Sequence, residues 1–257
     1  MKIVILAGGL GSRLAEETEV KPKPMVEIGG TPLIWHIMKH YAHYGFKEFI
    51  IALGYKGEII KRFFLDYSSL SGNITIDLTS GAIETRDLEC EDWLIHLKNT
   101  GEGTNTGGRI KRLRHDLGDE PFLVTYGDGV CDVNLRDLVE FHRAHGRIGT
   151  LTAVRPPSRF GGLVFDREGM LVDFTEKPQI GEGWINGGFM VFQPEIFDYL
   201  RDDDSSLEAD ALEALAGDHQ LTAYRHEGFW QCMDTLRDKR LLENLWHEHR
   251  APWKVWE

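Results

Sequence analysis

Short unbroken apolar runs alternate along this chain with segments whose apolar residues recur every three to four positions. Residues 3–6, Ile-Val-Ile-Leu, are uniformly apolar and rich in β-branched side chains, the pattern of a strand buried on both faces. Ile34, Ile37, Met38 and Tyr41 fall at i, i+3, i+4 and i+7, which predicts a helix with one apolar face. That helix is expected to begin at Thr31–Pro32, with proline in the first turn, and to stop at Gly45. Residues 46–53 then read as a second strand, 54–57 as a turn and 58–67 as a second helix. Strand, loop, helix, strand, turn, helix is the grammar of a mostly parallel sheet covered by helices through right-handed crossovers.

The middle of the chain is less regular. Ile74, Ile76 and Leu78 alternate with polar residues, as on a half-exposed strand, and residues 93–97 form another candidate strand. Residues 107–117 read as one helix, 122–126 as a buried strand, and Asn134 as the cap of a helix reaching His145. Strands are expected at 149–154 and 185–192, with a small hairpin formed by 163–165 and 171–174. Helices are expected at 194–200, 206–216 and 235–249. No repeat, low-complexity stretch or linker appears, so residues 1–257 are expected to form a single α/β domain, Rossmann-like, with a small β-hairpin and C-terminal helical additions.

Composition narrows the function. Lysine plus arginine number 29 and aspartate plus glutamate 41, a formal charge of −12. A nucleic-acid binder relying on broad positive potential is thereby excluded, and any anionic substrate must be met by a few local groups. The acids concentrate at residues 195–218, where nine stand against one base; this stretch lies outside every motif and is expected to solubilise the protein. Cys90, Cys131 and Cys232 form no C-x-x-C pair, which fits free thiols in a cytoplasmic protein, and no apolar run approaches the ~20 residues of a membrane span. Glycine is in excess, 28 of 257 residues. Gly8, Gly9, Gly11, Gly107, Gly108, Gly127, Gly129, Gly187 and Gly188 all fall in segments with candidate chemistry.

The first of these segments is Leu6-Ala7-Gly8-Gly9-Leu10-Gly11-Ser12-Arg13, directly after the first strand. Glycines there let backbone N–H groups approach phosphate oxygens. A Walker A loop is excluded because no lysine follows, and a dinucleotide fingerprint because Leu14 stands where its third glycine belongs. A tight turn needing glycine only for geometry remains an alternative. Lys21-Pro22-Lys23-Pro24-Met25 follows, and its prolines are expected to extend the chain so that Lys21 and Lys23 project to one side. Beside a glycine loop ending in Arg13, this segment reads as a polyphosphate clamp.

Asp128 sits between Gly127 and Gly129 at the C-terminal end of an apolar strand, where open α/β sheets bind ligands. That position favours a Mg²⁺ ligand over a simple turn residue. Asp234 lies just before the last helix, where capping it is a serious alternative. Glu176-Lys177-Pro178 and Asn186-Gly187-Gly188 could equally be a hairpin charge pair and a β-bulge.

Taken together, Leu6-Ala7-Gly8-Gly9-x-Gly-Ser-Arg-Leu and Lys-Pro-Lys-Pro-Met resemble the signature of the sugar-phosphate nucleotidylyltransferases. The resemblance implies that the loop, residues 6–13, wraps a nucleoside triphosphate and that Arg13 and Lys23 contact its phosphates. It implies that Asp128 and Asp234 hold one Mg²⁺, that Lys177, with Glu176, meets the sugar phosphate, and that Asn186 and Gly187 face the sugar. Further stretches, among them Thr106-Gly107-Gly108-Arg109, Phe229-Trp230-Gln231 and Ala251-Pro252-Trp253-Lys254-Val255-Trp256-Glu257, resemble members of the family that convert CTP and glucose 1-phosphate to CDP-glucose and pyrophosphate. That narrower likeness implies that Thr106 and Arg109 help hold CTP, and that the product feeds dideoxyhexose synthesis for surface polysaccharide (O-antigen). It also implies a homo-oligomer, a hexamer. Use of UTP or dTTP, or a non-catalytic nucleotide-sugar binding domain, are the competing readings.

Overall fold

The computed structural model describes residues 1–11, 14–87, 90–156, 162–165, 170–175 and 183–257. Its centre is a mixed, mostly parallel sheet. In chain order the strands are β1 (Lys2–Ala7), β2 (Glu48–Leu53), β3 (Leu94–Asn99), β4 (Phe122–Tyr126), β5 (Gly129–Cys131), β6 (Gly149–Val154), β7 (Ile185–Asn186), β8 (Met190–Phe192), β9 (Leu221–His226) and β10 (Trp230–Cys232). The helices used below are α1 (Leu33–His43), α2 (Gly57–Leu70), α3 (Thr106–Arg112), α4 (Leu135–His145) and α5 (Leu236–His247). β3, β2, β1 and β4 run parallel side by side, and β8 then pairs antiparallel with β4. β6 takes β7 and β8 antiparallel along one edge and β9 parallel along the other. β5 and β10 form a separate antiparallel ribbon.

The central strands are apolar throughout because both faces are covered. Ile3 and Ile5 point into one core with Leu33, Ile37, Tyr41, Phe49 and Leu242, whereas Val4 and Leu6 point into the other with Ile110, Phe122, Leu200 and Leu207. The C-terminal tail folds back onto the first of these cores. Trp253 is fully buried and stacks on Phe229 and Trp246, while Trp256 meets Trp35 edge-on.

Several elements differ from the sequence expectation, each for a local reason. Thr31–Pro32 is a short strand against Glu27–Ile28, so Pro32 caps α1 and the helix starts at Leu33. The 107–117 helix is two: α3 ends at Arg112, and a separate turn of helix covers Arg114–Leu117. The 185–192 strand breaks into β7 and β8 because Gly188 and Phe189 both adopt positive φ, 76° and 46°. Residues 74 and 76 lie on a two-stranded hairpin (Asn73–Asp77 with Ala82–Arg86) that is exposed along its whole length.

The start of α5 settles what caps it. Thr235 is the N-cap: its hydroxyl accepts from the Asp238 N–H, and the Asp238 carboxylate accepts from the Thr235 N–H in return. This capping box takes the helix-starting role from Asp234. Thr235→Ala is expected to lower stability by about 1 kcal/mol in denaturant unfolding; an unchanged midpoint would show that the box contributes nothing net.

Candidate active site

β1 and β4 lie side by side, with Leu6 opposite Tyr126, and both end at the same edge of the sheet. β1 runs out into Gly8, Gly9 and Gly11, and β4 into Gly127 and Asp128. Gly127 donates its N–H to the Leu6 carbonyl at 3.1 Å. A Cβ on Gly127 would stand 2.7 Å from Pro24 Cγ, so glycine is what allows the Pro22–Met25 segment to press against the strand end.

The prolines do not keep that segment extended. Lys23–Met25 is a single 3-10 turn with Pro24 in its first positions. Lys21 and Lys23 therefore part, contrary to the same-side expectation. Lys21 meets Glu27 at the surface, 3.1 Å away, while Lys23 turns inward and is only 8% exposed. Its ammonium donates to Asp128 Oδ2 at 3.0 Å and to Asp234 Oδ1. The β5–β10 ribbon makes this meeting: Asp128 immediately precedes β5, Asp234 follows β10, and the Met233 N–H donates to the Asp128 carbonyl at 2.8 Å.

Burial works against the Lys23 charge, but the two carboxylates outweigh it and hold the ammonium above its ordinary pKa. Beside them the Cys232 thiol is pushed up to about 12, by burial first and then by Asp234 and Asp128. Two carboxylates and one ammonium thus meet beside a cleft, and the carboxylates supply hard oxygen donors. That donor set fits a divalent cation such as Mg²⁺.

The cleft has a volume of about 380 Å³. Leu6, Ala7, Gly8, Gly9 and Gly11 line it together with Thr104, Asn105, Thr106, Arg109, Lys23, Asp128 and Asp234. Arg109 is 4% exposed, and its guanidinium donates to the Leu53, Gly101, Gly8 and Glu102 carbonyls and the Thr100 hydroxyl. It thereby ties the glycine loop to the ends of β2 and β3.

This chain matches the family described as Nucleotidyl transferase over residues 2–238. It belongs to that family. A Salmonella typhimurium relative named glucose-1-phosphate cytidylyltransferase is 50% identical over 258 residues, covering 100% of both chains. A Bacillus subtilis relative named probable glucose-1-phosphate cytidylyltransferase is 44% identical over 257 residues, again across 100% of both. A solved structure named as a putative glucose-1-phosphate thymidylyltransferase from Bacillus anthracis, in complex with sucrose, is 18% identical with a TM-score of 0.68, covering 100% of this chain and 97% of that one. At that identity the likeness speaks for the fold alone.

In this nucleotidyl transferase the glycine loop, Lys23, Thr106, Arg109, Gly127, Asp128 and Asp234 come together at one cleft, although Leu10 points outward and is 67% exposed. Ser12, Arg13, Glu176 and Lys177 lie outside the described residues. Asn186 reaches the cleft wall through Tyr126, to whose hydroxyl it donates at 3.2 Å, and Gly187 is buried behind it, its carbonyl accepting from Trp230 Nε1 at 2.8 Å. His36, fully buried with its Nε2 2.9 Å from the Ile28 carbonyl, is lowered to about 4 mainly by burial and stands away from the cleft.

Glu208 is the residue that sequence reasoning missed. It belongs to the acidic stretch, but it is not simply a solubilising group. Tyr126 donates to its Oε1 at 2.6 Å; Thr106 and Ser206 donate to its Oε2 at 2.7 and 3.0 Å. One carboxylate thus orients two residues of the cleft wall and, through Tyr126, Asn186. A π-helical segment, Leu207–Leu212, carries it there, packed on α3. The only sequence signal was Leu207, Ala211 and Leu212, whose burial aims this helix at the core. Glu208→Gln keeps the size but turns one acceptor into a donor. It is expected to raise KM for the substrates roughly tenfold, the equivalent of one weakened charge-assisted hydrogen bond. Steady-state kinetics check this, and an unchanged KM would show that Tyr126 and Thr106 hold their places without it.

Proposed function

We propose that this protein transfers CMP from CTP to α-D-glucose 1-phosphate, giving CDP-glucose and pyrophosphate. The observation that carries the reading is the relative named glucose-1-phosphate cytidylyltransferase, 50% identical across the full length of both chains. The Lys23, Asp128 and Asp234 cluster at the mouth of a glycine-lined cleft supports it chemically.

Both reactants are anions, so the task is neutralisation and alignment. A sugar-phosphate oxygen attacks the α-phosphorus of CTP in line, and the bond from that phosphorus to the oxygen bridging to the β-phosphate breaks. The attacking oxygen is already ionised at neutral pH, so no general base is required. Gly8, Gly9 and Gly11 offer backbone N–H groups to the phosphates, with Leu6, Ala7, Leu10 and Ser12 completing the loop. Lys23 and Arg13 stabilise the departing pyrophosphate, Lys177 and Glu176 serve the sugar phosphate, and Asn186 and Gly187 the sugar. Thr106 and Gly127 shape the nucleotide pocket, and Arg109 serves the nucleotide chiefly by holding the loop.

Enzymes of this family generally use a divalent metal ion. Here Asp128 and Asp234 would hold Mg²⁺, which when bound would shield the phosphate charge. The reading extends to a homohexameric cytoplasmic enzyme, one domain over residues 1–257, supplying CDP-glucose for O-antigen dideoxyhexoses. Among the described residues no helix is long and apolar enough to cross a membrane.

The test is pyrophosphate release from Mg²⁺, glucose 1-phosphate and each nucleoside triphosphate in turn. Release with CTP, together with CDP-glucose by mass spectrometry, is expected. Release only with UTP or dTTP would overturn the base assignment, and none with any nucleotide would favour a binding domain. Light scattering checks the hexamer.

A further inference from the structure

A second cluster stands where β5 ends, among residues that do not line the cleft. Cys131 ends β5, Asp132 follows it, and His226 ends β9. Each offers one donor atom, and the three atoms lie within 4.8 Å of one another. His226 Nε2 is 2.8 Å from Asp132 Oδ1 and 3.3 Å from the Phe229 carbonyl. Gly228 makes room for this pair, since a Cβ there would stand 2.5 Å from Asp132 Oδ1 and 2.7 Å from His226 Cε1.

An independent observation points to a ligand. His40, on α1, is 2% exposed, and neither of its ring nitrogens makes a hydrogen bond of normal geometry. It lies beside Val133, within electrostatic reach of Asp132 and His226. A buried imidazole with no well-formed hydrogen bond is a group that a metal ion can satisfy. A thiol, an imidazole and a carboxylate together are the donor set of zinc, which accepts sulfur, nitrogen and oxygen in a four-coordinate shell. The Asp128 and Asp234 site differs in kind, offering oxygen donors suited to Mg²⁺.

We propose that Cys131, Asp132 and His226 form a structural zinc site. Binding releases the Cys131 thiol proton and uses the neutral His226 imidazole; the Asp132–His226 hydrogen bond gives way to the shared ion. Cys131 and Asp132 belong to the chain leaving β5, and His226 is the last residue of β9, four positions before β10 begins. The ion therefore ties the end of β5 to the end of β9, next to the ribbon that leads to Asp128 and Asp234.

The test uses the full-length, tag-free protein and has readouts independent of turnover. Zinc is titrated against a competing chelator in the Asp128→Asn/Asp234→Asn double variant, which removes the other carboxylate pair. One tight equivalent per chain is expected there, with affinity at least a hundredfold weaker when Cys131→Ala is added. Cobalt substituted at the site is expected to show a thiolate-to-cobalt charge-transfer band. The band should disappear in Cys131→Ala and persist in Cys90→Ala and Cys232→Ala. Asp132→Asn, which leaves the core untouched, should weaken zinc at least tenfold and covers the case in which Cys131→Ala misfolds. Absence of a tight equivalent, or zinc and cobalt signals unchanged in Cys131→Ala and Asp132→Asn, would overturn the proposal and leave Asp132 and His226 as a hydrogen-bonded brace.

Discussion

Lys23→Ala is expected to lower turnover about a thousandfold, the equivalent of ~4 kcal/mol of transition-state stabilisation. The variant should remain folded. The physical reason is the position of the ammonium: it is nearly buried, bonded to Asp128 and Asp234, and lines the glycine-rich cleft. Removing it also takes away the ammonium that Asp128 and Asp234 share. Substrate-free Lys23→Ala should accordingly bind Mg²⁺ more tightly than the parent, because the ion no longer competes with the lysine. Asp234→Ala is expected to cut turnover by a similar factor but to move metal affinity the other way. This opposite pair of shifts separates the proposed roles from a general loss of structure. Turnover within tenfold of the parent in either purified variant would remove that residue from the chemistry.

Much of this was legible before any coordinates. The apolar run at 3–6 and the i, i+3, i+4, i+7 series in α1 are written by burial, and burial is what the sheet and helix deliver. The glycine loop and the Asp128 strand end were legible because ligand-binding loops follow parallel strands at their C-terminal ends. What escaped depended on long-range contact. The direction in which Lys23 points follows from a 3-10 turn wedged against Gly127, a contact between residues about a hundred positions apart. Glu208 was hidden because an acid among acids reads as a solvated surface, and only the packing of residues 207–212 on α3 shows which carboxylate turns inward. Asp234 had two readings, and the Thr235–Asp238 box removes the capping one.

Arg109 carries the other large expectation. A cationic side chain lining this cleft suggests a direct phosphate contact, but its hydrogen bonds define a structural role. Its guanidinium is directed at four carbonyls and a hydroxyl of the chain, at 2.7–3.2 Å. Burial lowers its pKa, with Arg112 adding to the effect, but a guanidinium stays charged at neutral pH. A buried charge held only by neutral acceptors is maintained by the completeness of that set. Arg109→Leu should therefore cost about 3–5 kcal/mol of folding stability and leave the Gly8 carbonyl with the Tyr55 N–H as its remaining donor, raising KM for the nucleotide as the loop loses one of its anchors. Gly8→Ala attacks the same contact from the other side, since its Cβ would fall 2.2 Å from the guanidinium. Both substitutions act through one contact, so the stability loss of the double variant should be well below the sum of the single losses. A residue serving only the nucleotide would behave otherwise: Arg109→Leu would leave thermal unfolding unmoved, and the effect of Gly8→Ala would be the same with or without it.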